Sequence, residues 1–323
     1  MDRFNQFLGF DEQIDALKAM GIGFNGRFTE RGAKAYLRDN NSFFRLISYC
    51  DSFEYDSLGT DGKPHYGDLD FEQLVDLSVI DFRLREVLLH LTIHIEHHLK
   101  IMLHNILRLS DSDPYRIVRD FKESPYVTFD LRQELERASR SDYSRDLYAE
   151  FQPDIPVWVM LELLQLGYLR SFVGFLRQRD EADTSIPIDF DSLFYELNSA
   201  RSLRNAAAHN TGIFNGLLNN DDRTLSDRIY NVLIEAEHPD GGFIFTEEEL
   251  EDSHLSRALK DITTALFLHH EMVTSRGVKK SMAERLDELR HRFSKRVQYE
   301  ETSAVGSAFS FITRLIDLWY PLS

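Results

Sequence analysis

Apolar residues recur at steps of three and four through most of this chain. The longest such run is Asp70 to Leu109, where Leu74, Leu77, Phe82, Leu84, Leu88, Leu91, Ile95, Leu99 and Leu103 mark one side of a helix. Ser110 to Pro114 ends it. Residues 11–20 and 29–53 carry the same period, and Thr29 with Arg31-Gly32 marks a helix start. Phe43, Phe44, Leu46, Ile47 and Tyr49 form a dense apolar cluster, and residues 54–68, with Gly59, Asp61-Gly62, Pro64 and Gly67, read as a loop. Residues 115–155 are more polar and predict one short helix around 129–151, closed by Pro153 and Pro156. Trp158 to Arg177 is apolar on more than one stripe, which predicts a largely buried helix with Trp158 in the core. Asp191 to Leu218 predicts another helix. Residues 219–226 and 237–246 read as loops, with a brief strand at Phe243 to Phe245. Glu247–Ser275 and Lys279–Glu300 are helical, and Phe309 to Tyr320 is apolar enough to pack. The pattern contains no internal repeat and predicts an all-α protein. Its core bundle is formed by Asp70–Leu109, Val157–Arg177 and Asp191–Leu218.

Composition narrows this picture. A chain of 323 residues that is 42% hydrophobic, with 24 Phe and only 8 Pro, can build a substantial helical core. The single cysteine, Cys50, excludes an internal disulfide and a cysteine-based zinc site. The net charge of −17 argues against broad nonspecific nucleic-acid binding, yet leaves room for a local basic cleft near Arg201, Arg204 and Arg223. The acid concentrates in Asp221-Asp222, Glu247-Glu248-Glu249 and Glu251-Asp252, which read as solvated faces and loops. No run approaches the roughly 20 apolar residues that span a bilayer. The best candidate, Val157 to Leu169, is interrupted by Glu162 and Gln165. Met1 to Phe10 already carries Asp2, Arg3 and Asn5, unlike a secretory leader. A cytoplasmic chain with no membrane partner is expected.

The chemistry gathers in Arg204-Asn205-Ala206-Ala207-Ala208-His209-Asn210. Arginine can neutralise a phosphate, asparagine can orient a ring, and imidazole can move a proton near neutral pH. On a helix Asn205 and His209 share a face, and the long Arg204 stem can swing to the same side. The three alanines let another helix or chain approach closely. A short Arg-x-x-x-x-His pattern also occurs by chance, and a helical histidine is often only packed or solvated. A second cluster is His90, His94, His97, His98 and His104, in which the i, i+4, i+8 spacing of His90, His94 and His98 lets one helix present two ligands on one face. Partner ligands from another segment are not identifiable, so no metal and no cofactor are expected. His269-His270-Glu271 lacks the spacing of a zinc-protease motif, and there is no phosphate-binding glycine loop and no nucleophilic Ser or Cys arrangement.

Four separated blocks share a resemblance. Tyr36-Leu37 with Asn41-Ser42-Phe43-Phe44-Arg45-Leu46-Ile47-Ser48-Tyr49 is similar to the N-terminal block of the Abi family, bacterial abortive-infection proteins of the AbiD/AbiF type. Asp81-Phe82-Arg83-Leu84-Arg85, continuing to Ile95-Glu96, resembles their long helix. Ile155-Pro156-Val157-Trp158-Val159 with Glu162-Leu163 and Gly167 resembles their Pro-x-Trp helix, and Arg204-Asn205-Ala206-Ala207-Ala208-His209 with Asn215 resembles their Arg-Asn-x-x-x-His block. The order and rough spacing agree over about residues 30–275. That family belongs to the HEPN superfamily, many of whose members are metal-independent ribonucleases. Two positions depart from the pattern: Asn210 stands where a second histidine is frequent, and Gly216 where a basic residue often follows the asparagine.

The resemblance implies a HEPN-like helical core over 69–275, with an N-terminal helical segment over 1–68 packed on it and a C-terminal helical extension over 276–323. It implies RNA as partner, with no DNA, and cleavage by attack of a 2′-OH on the adjacent phosphorus. His209 would be the general acid or base, Arg204 would stabilise phosphoryl charge, and Asn205 would hold the imidazole or contact phosphate. Arg201, Asn210 and Asn215 would support RNA binding. Glu96 would orient Arg204 from the long helix, or be a plain surface carboxylate. One imidazole serves poorly as both acid and base, so a homodimer is expected. Two other readings stay open: a noncatalytic protein holding a small non-coding RNA, and a helical protein–protein regulatory module, which the acidic balance favours.

Overall fold

The computed structural model describes residues 7–59, 62–110, 113–128, 130–179, 188–219, 224–251 and 255–322. Arg223, Asp221-Asp222, Asp61 and Asp252 lie outside them. Among the described residues the fold is all-α, with fifteen helices and one two-stranded ribbon. The order opens with α1 (Phe10–Ala19), α2 (Glu30–Asp39), α3 (Phe43–Ser48), a 3-10 turn at Tyr49–Ser52, and the antiparallel pair β1 (Ser57–Leu58) and β2 (Pro64–His65). The long α4 (Phe71–Leu109) follows, then α5 (Pro114–Lys122), α6 (Leu131–Ser139) and α7 (Arg145–Glu150). After these come α8 (Val157–Leu163), α9 (Leu166–Gln178), α10 (Phe190–Ala208), α11 (Asp227–Ile234) and α12 (Glu247–Leu250). The chain closes with α13 (Arg257–Met272), α14 (Arg276–Phe293) and α15 (Ala304–Trp319).

The helix starts follow local chemistry. Thr29 accepts the Gly32 N–H to cap α2. Asp70 and Gln73 form a reciprocal box at the head of α4, where Asp70 also accepts the Asn25 N–H at 2.7 Å and so pins the preceding loop. Asp113 followed by Pro114 starts α5, and Asp189 caps α10. At the centre, α10 packs on α4, α9 and α13, while α14 and α13 also lie against α4. Leu74, Leu77, Leu84, Leu88, Leu91, Ile95, Leu99 and Leu103 are all buried. The core bundle thus contains the three predicted segments and α13 besides.

Several boundaries differ from the sequence expectation. Phe82, expected in the buried stripe, is 47% exposed, and Trp158, expected in the core, is 42% exposed beside Tyr115. The 158–177 segment is two helices, broken at Leu164-Gln165, where both residues are extended. No Pro or Gly sits at the break. A tertiary contact helps hold it: Lys100 on α4 donates to the Glu162 carbonyl at 2.8 Å, taking one of the acceptors that the end of α8 leaves free. Residues 29–53 break at Asn40–Ser42 into α2 and α3, and 129–151 holds two helices, α6 and α7. The predicted helix over 247–275 is likewise α12 and α13. The 54–68 loop carries the β1–β2 ribbon, and α5 and α11 fall where no helix is expected. The Phe243–Phe245 strand reduces to a single bridge between Glu237 and Phe243. The tail does pack, with Phe309, Phe311, Ile312, Leu315 and Trp319 buried. No helix among the described residues is long and apolar enough to cross a membrane.

Candidate functional site

The motif lies at the C-terminal end of α10. The helix stops at Ala208, ten residues before the predicted end, and His209 is its C-cap. The stop has a local cause. Asn210 takes φ of 57°, the Thr211 N–H bonds the Ala206 carbonyl at 2.8 Å, and the Asn210 N–H bonds the Ala207 carbonyl at 3.3 Å. These two bonds form a Schellman termination, whose left-handed residue is Gly or, next best, Asn. Asn210, a departure from the family pattern, is therefore the residue that ends the helix. The second departure is also conformational: Gly216 sits at φ of 96°, a backbone region that side chains disfavour.

The loop that follows is held by buried polar groups from two other elements. Asp81 on α4 is fully buried and accepts the Ile213 and Phe214 N–H groups at 2.7 and 2.8 Å. Its other oxygen accepts the Tyr49 hydroxyl at 2.9 Å and a guanidinium N–H of Arg85, itself buried. Arg85 also reaches the Thr211 carbonyl at 3.4 Å, and Arg45 donates to the Asn210 carbonyl. Ser52 donates to the Phe214 carbonyl and accepts the Gly216 and Leu217 N–H groups at 2.8 and 3.1 Å. Burial, with the Asp81 carboxylate beside it, raises the Tyr49 hydroxyl far above its ordinary value, so it remains a donor. Arg85 beside Asp81 gives the carboxylate its counter-charge in the dry interior.

The motif side chains are arranged differently. Arg204 is half-buried, and Asn205, His209, Asn210 and Asn215 are exposed. Arg204, Asn205 and His209 make no side-chain hydrogen bond or ion pair among the described residues, so Asn205 does not hold the imidazole here. Arg201 is exposed and its stem runs over Gly167, where a Cβ would meet Arg201 Cδ at 3.4 Å. Glu96 does not reach the motif. Arg204 forms no ion pair with it, and the cationic neighbour of Glu96 is Lys100 at 3.9 Å. Sequence reasoning assigned no role to Tyr49, Asp81 and Arg85 beyond family resemblance and passed over Ser52. The available signal was charge on the inward face of α4, since Asp81 follows Leu77 and precedes Leu84 and Leu88 on one stripe.

The histidine cluster resolves into pairs. His94 Nδ1 lies 3.1 Å from Nε2 of the buried His269, whose other nitrogen meets the Tyr320 hydroxyl at 2.8 Å. His97 stacks edgewise on His98, and His104 faces Glu162 at 3.4 Å. Among the described residues no group of three or more His, Cys, Asp or Glu is arranged to hold a metal ion.

Three of the four sequence blocks, from the α3 region, α4 and the end of α10, thus meet in one bonded network around residues 210–217. No curated protein and no solved structure matches the chain. A family model described as Abi-like protein matches residues 35–215, from α2 through the loop that Asp81 holds. That span is more than half of the chain, and the protein belongs to the Abi-like protein family.

Proposed function

We propose that this protein is a phage-defence ribonuclease of the abortive-infection kind, cutting RNA without a metal at a HEPN-type motif built from Arg204 and His209. One observation carries the reading: the polar groups framing the loop are bonded to one another, while among the described residues the half-buried Arg204 and the exposed Asn205 and His209 side chains are left without partners. A free imidazole on a fixed frame suits proton transfer, and a free guanidinium suits a phosphoryl oxygen. The 2′-OH attacks phosphorus as its proton leaves to a base, and the 5′ oxygen departs with a proton from an acid. A 2′,3′-cyclic phosphate and a 5′-OH result. Two copies of His209 supply both groups, which makes the homodimer part of the mechanism. Exposed Phe44 and Phe82, each adjoining an arginine that reaches the loop, offer apolar surface for that approach.

The test is RNA cleavage in EDTA by wild type and by His209→Ala, with end-group analysis of the products. Wild type should cut in EDTA and leave cyclic phosphate, and the variant should not. Activity that survives His209→Ala, or that requires added Mg²⁺, sinks the reading. A second reading, retention of an RNA without cutting, draws on the openness of Asn205 and His209 to solvent. It takes over if wild type copurifies with RNA and leaves it intact.

A further inference from the structure

A hollow of about 790 Å³ opens between the segment leading into α2, the first half of α4, and α14. Its wall carries six cationic side chains: Arg27, Arg83, Arg285, Arg292, Lys295 and Arg296. Four carboxylates share the wall, Glu72, Asp76, Glu86 and Glu288. The pairing decides the sign of the field. Arg83 is bound to Glu86 at 2.8 Å, and Arg292 to Asp76. Glu72 accepts the backbone N–H of Arg27 at 2.8 Å. Arg27, Arg285, Lys295 and Arg296 have no ion-pair partner, against Glu72 and Glu288. Arg292 also keeps one guanidinium nitrogen, Nη1, buried with no hydrogen-bond acceptor. In a chain of net charge −17 this is a concentrated positive surface inside a concavity of ordinary ligand size.

Bases near the C-terminus of α14 would complement the helix dipole, and that accounts for Lys295 and Arg296. It does not account for Arg27 and Arg285, which come from the α2 approach and the middle of α14. Nor does it explain the buried donor of Arg292. Unpaired arginines converging from different elements fit the oxygens of a phosphate chain, each fork taking two. The two remaining carboxylates and the acidic whole oppose a long polyanion but leave a short one engaged with the local cations.

We infer that this groove binds a short chain of linked phosphates, either free or as the tail of a nucleoside triphosphate. The site is separate from Arg204 and His209 and does not depend on their role. The test is calorimetric titration of the full chain, in metal-free buffer at low salt, with sodium tripolyphosphate and with ATP. Saturable binding is expected, weakening steeply as salt rises. It should fall at least tenfold in Arg285→Glu/Lys295→Glu and stay unchanged in Arg132→Glu on α6. Equal affinity for the two probes assigns the free chain, and much tighter ATP binding assigns the nucleotide. Circular dichroism checks the fold, and if the double reversal unfolds the chain, Arg285→Gln at that exposed position takes its place. No saturable binding at millimolar probe, or binding indifferent to the groove variants, overturns the inference. Displacement by a twelve-nucleotide RNA at lower concentration than ATP overturns it too.

Discussion

The Asp81 network and the tip of α10 stand on two sides of one short loop and use polar groups in opposite ways. Asp81 receives four donors, from Tyr49, Arg85, Ile213 and Phe214, and is fully buried. A carboxylate so engaged has no spare acceptor for a ligand, and its work is to fix a backbone path. The half-buried Arg204 and the exposed His209 make no side-chain hydrogen bond or ion pair among the described residues. Fully satisfied polar groups buy a single conformation, whereas unsatisfied exposed ones keep their chemistry available. On the proposed function, the difference separates scaffold from site.

The sharpest way to test this contrast is to remove one residue from each side. His209→Ala should lower RNA cleavage by about 10²–10⁴-fold, the usual loss of a positioned acid or base. Its melting temperature should hold, because an exposed residue away from packing costs under about 0.5 kcal/mol. Arg204→Ala should lower cleavage in the same way, and Arg204→Lys should recover little, since an ammonium lacks the planar fork. Asp81→Ala should do the reverse in kind. It strands the Arg85 guanidinium and two N–H groups in the interior, at a cost of about 3–5 kcal/mol, and any loss of cleavage should follow loss of fold. Urea titrations and initial rates on the same preparations check both. Equal destabilisation by His209→Ala and Asp81→Ala would erase the contrast.

Much of the fold was legible because it rests on periodicity. The α4 stripe, the packed C-terminal tail and the all-α class follow from spacing, and the Thr29 start from its capping side chain. Boundaries set by tertiary contacts were not legible. The α8–α9 break has no sequence breaker and is tied by Lys100 from a helix some sixty residues earlier. Phe82 and Trp158 lie outside the core although their types belong there. The proposed motif stood out in the sequence because Arg, Asn and His are chemically conspicuous. The frame that holds it did not, because Ser52 and Asp81 act on backbone groups of a loop more than 130 residues away, and Tyr49 acts only through Asp81. Glu96 illustrates the converse: a charged residue on the same helix, paired with Lys100 rather than with Arg204.

A buried histidine extends the comparison to pH. Burial pushes the His269 imidazole down to about 3, and His94, Lys279, His98 and His270 push the same way. Burial lowers His94 as well. Unfolded, each ring takes a proton near its ordinary value, while folded His269 stays neutral. The unfolded state therefore binds more protons as pH falls from about 6.5 toward about 3, and stability declines across that window by up to ~1.4 kcal/mol per pH unit for this ring. Above pH 7 the effect vanishes. Melting curves between pH 7.5 and 5 should show the decline, and His269→Gln should flatten it. A decline that is the same in wild type and His269→Gln would move its origin elsewhere.

The smallest effect concerns Asn210, where scaffold and site touch. Its position beside His209 suggests chemistry, and its backbone suggests termination: φ of 57°, with the Thr211 N–H turned back to Ala206. If termination is its role, Asn210→Gly should keep both stability and cleavage within a few tenths of a kcal/mol, because glycine adopts the left-handed region freely. Asn210→Ala should cost about 1–2 kcal/mol for the same backbone angle, with the rate per folded molecule unchanged. The Asn210 carbonyl would still accept from Arg45 in either variant, since that bond uses no side-chain atom of residue 210. The two substitutions differ by one methyl group, so a divergence in stability without a divergence in rate isolates the backbone. A glycine variant that folds normally but cuts slowly would place the Asn210 amide with Arg204 and His209 instead.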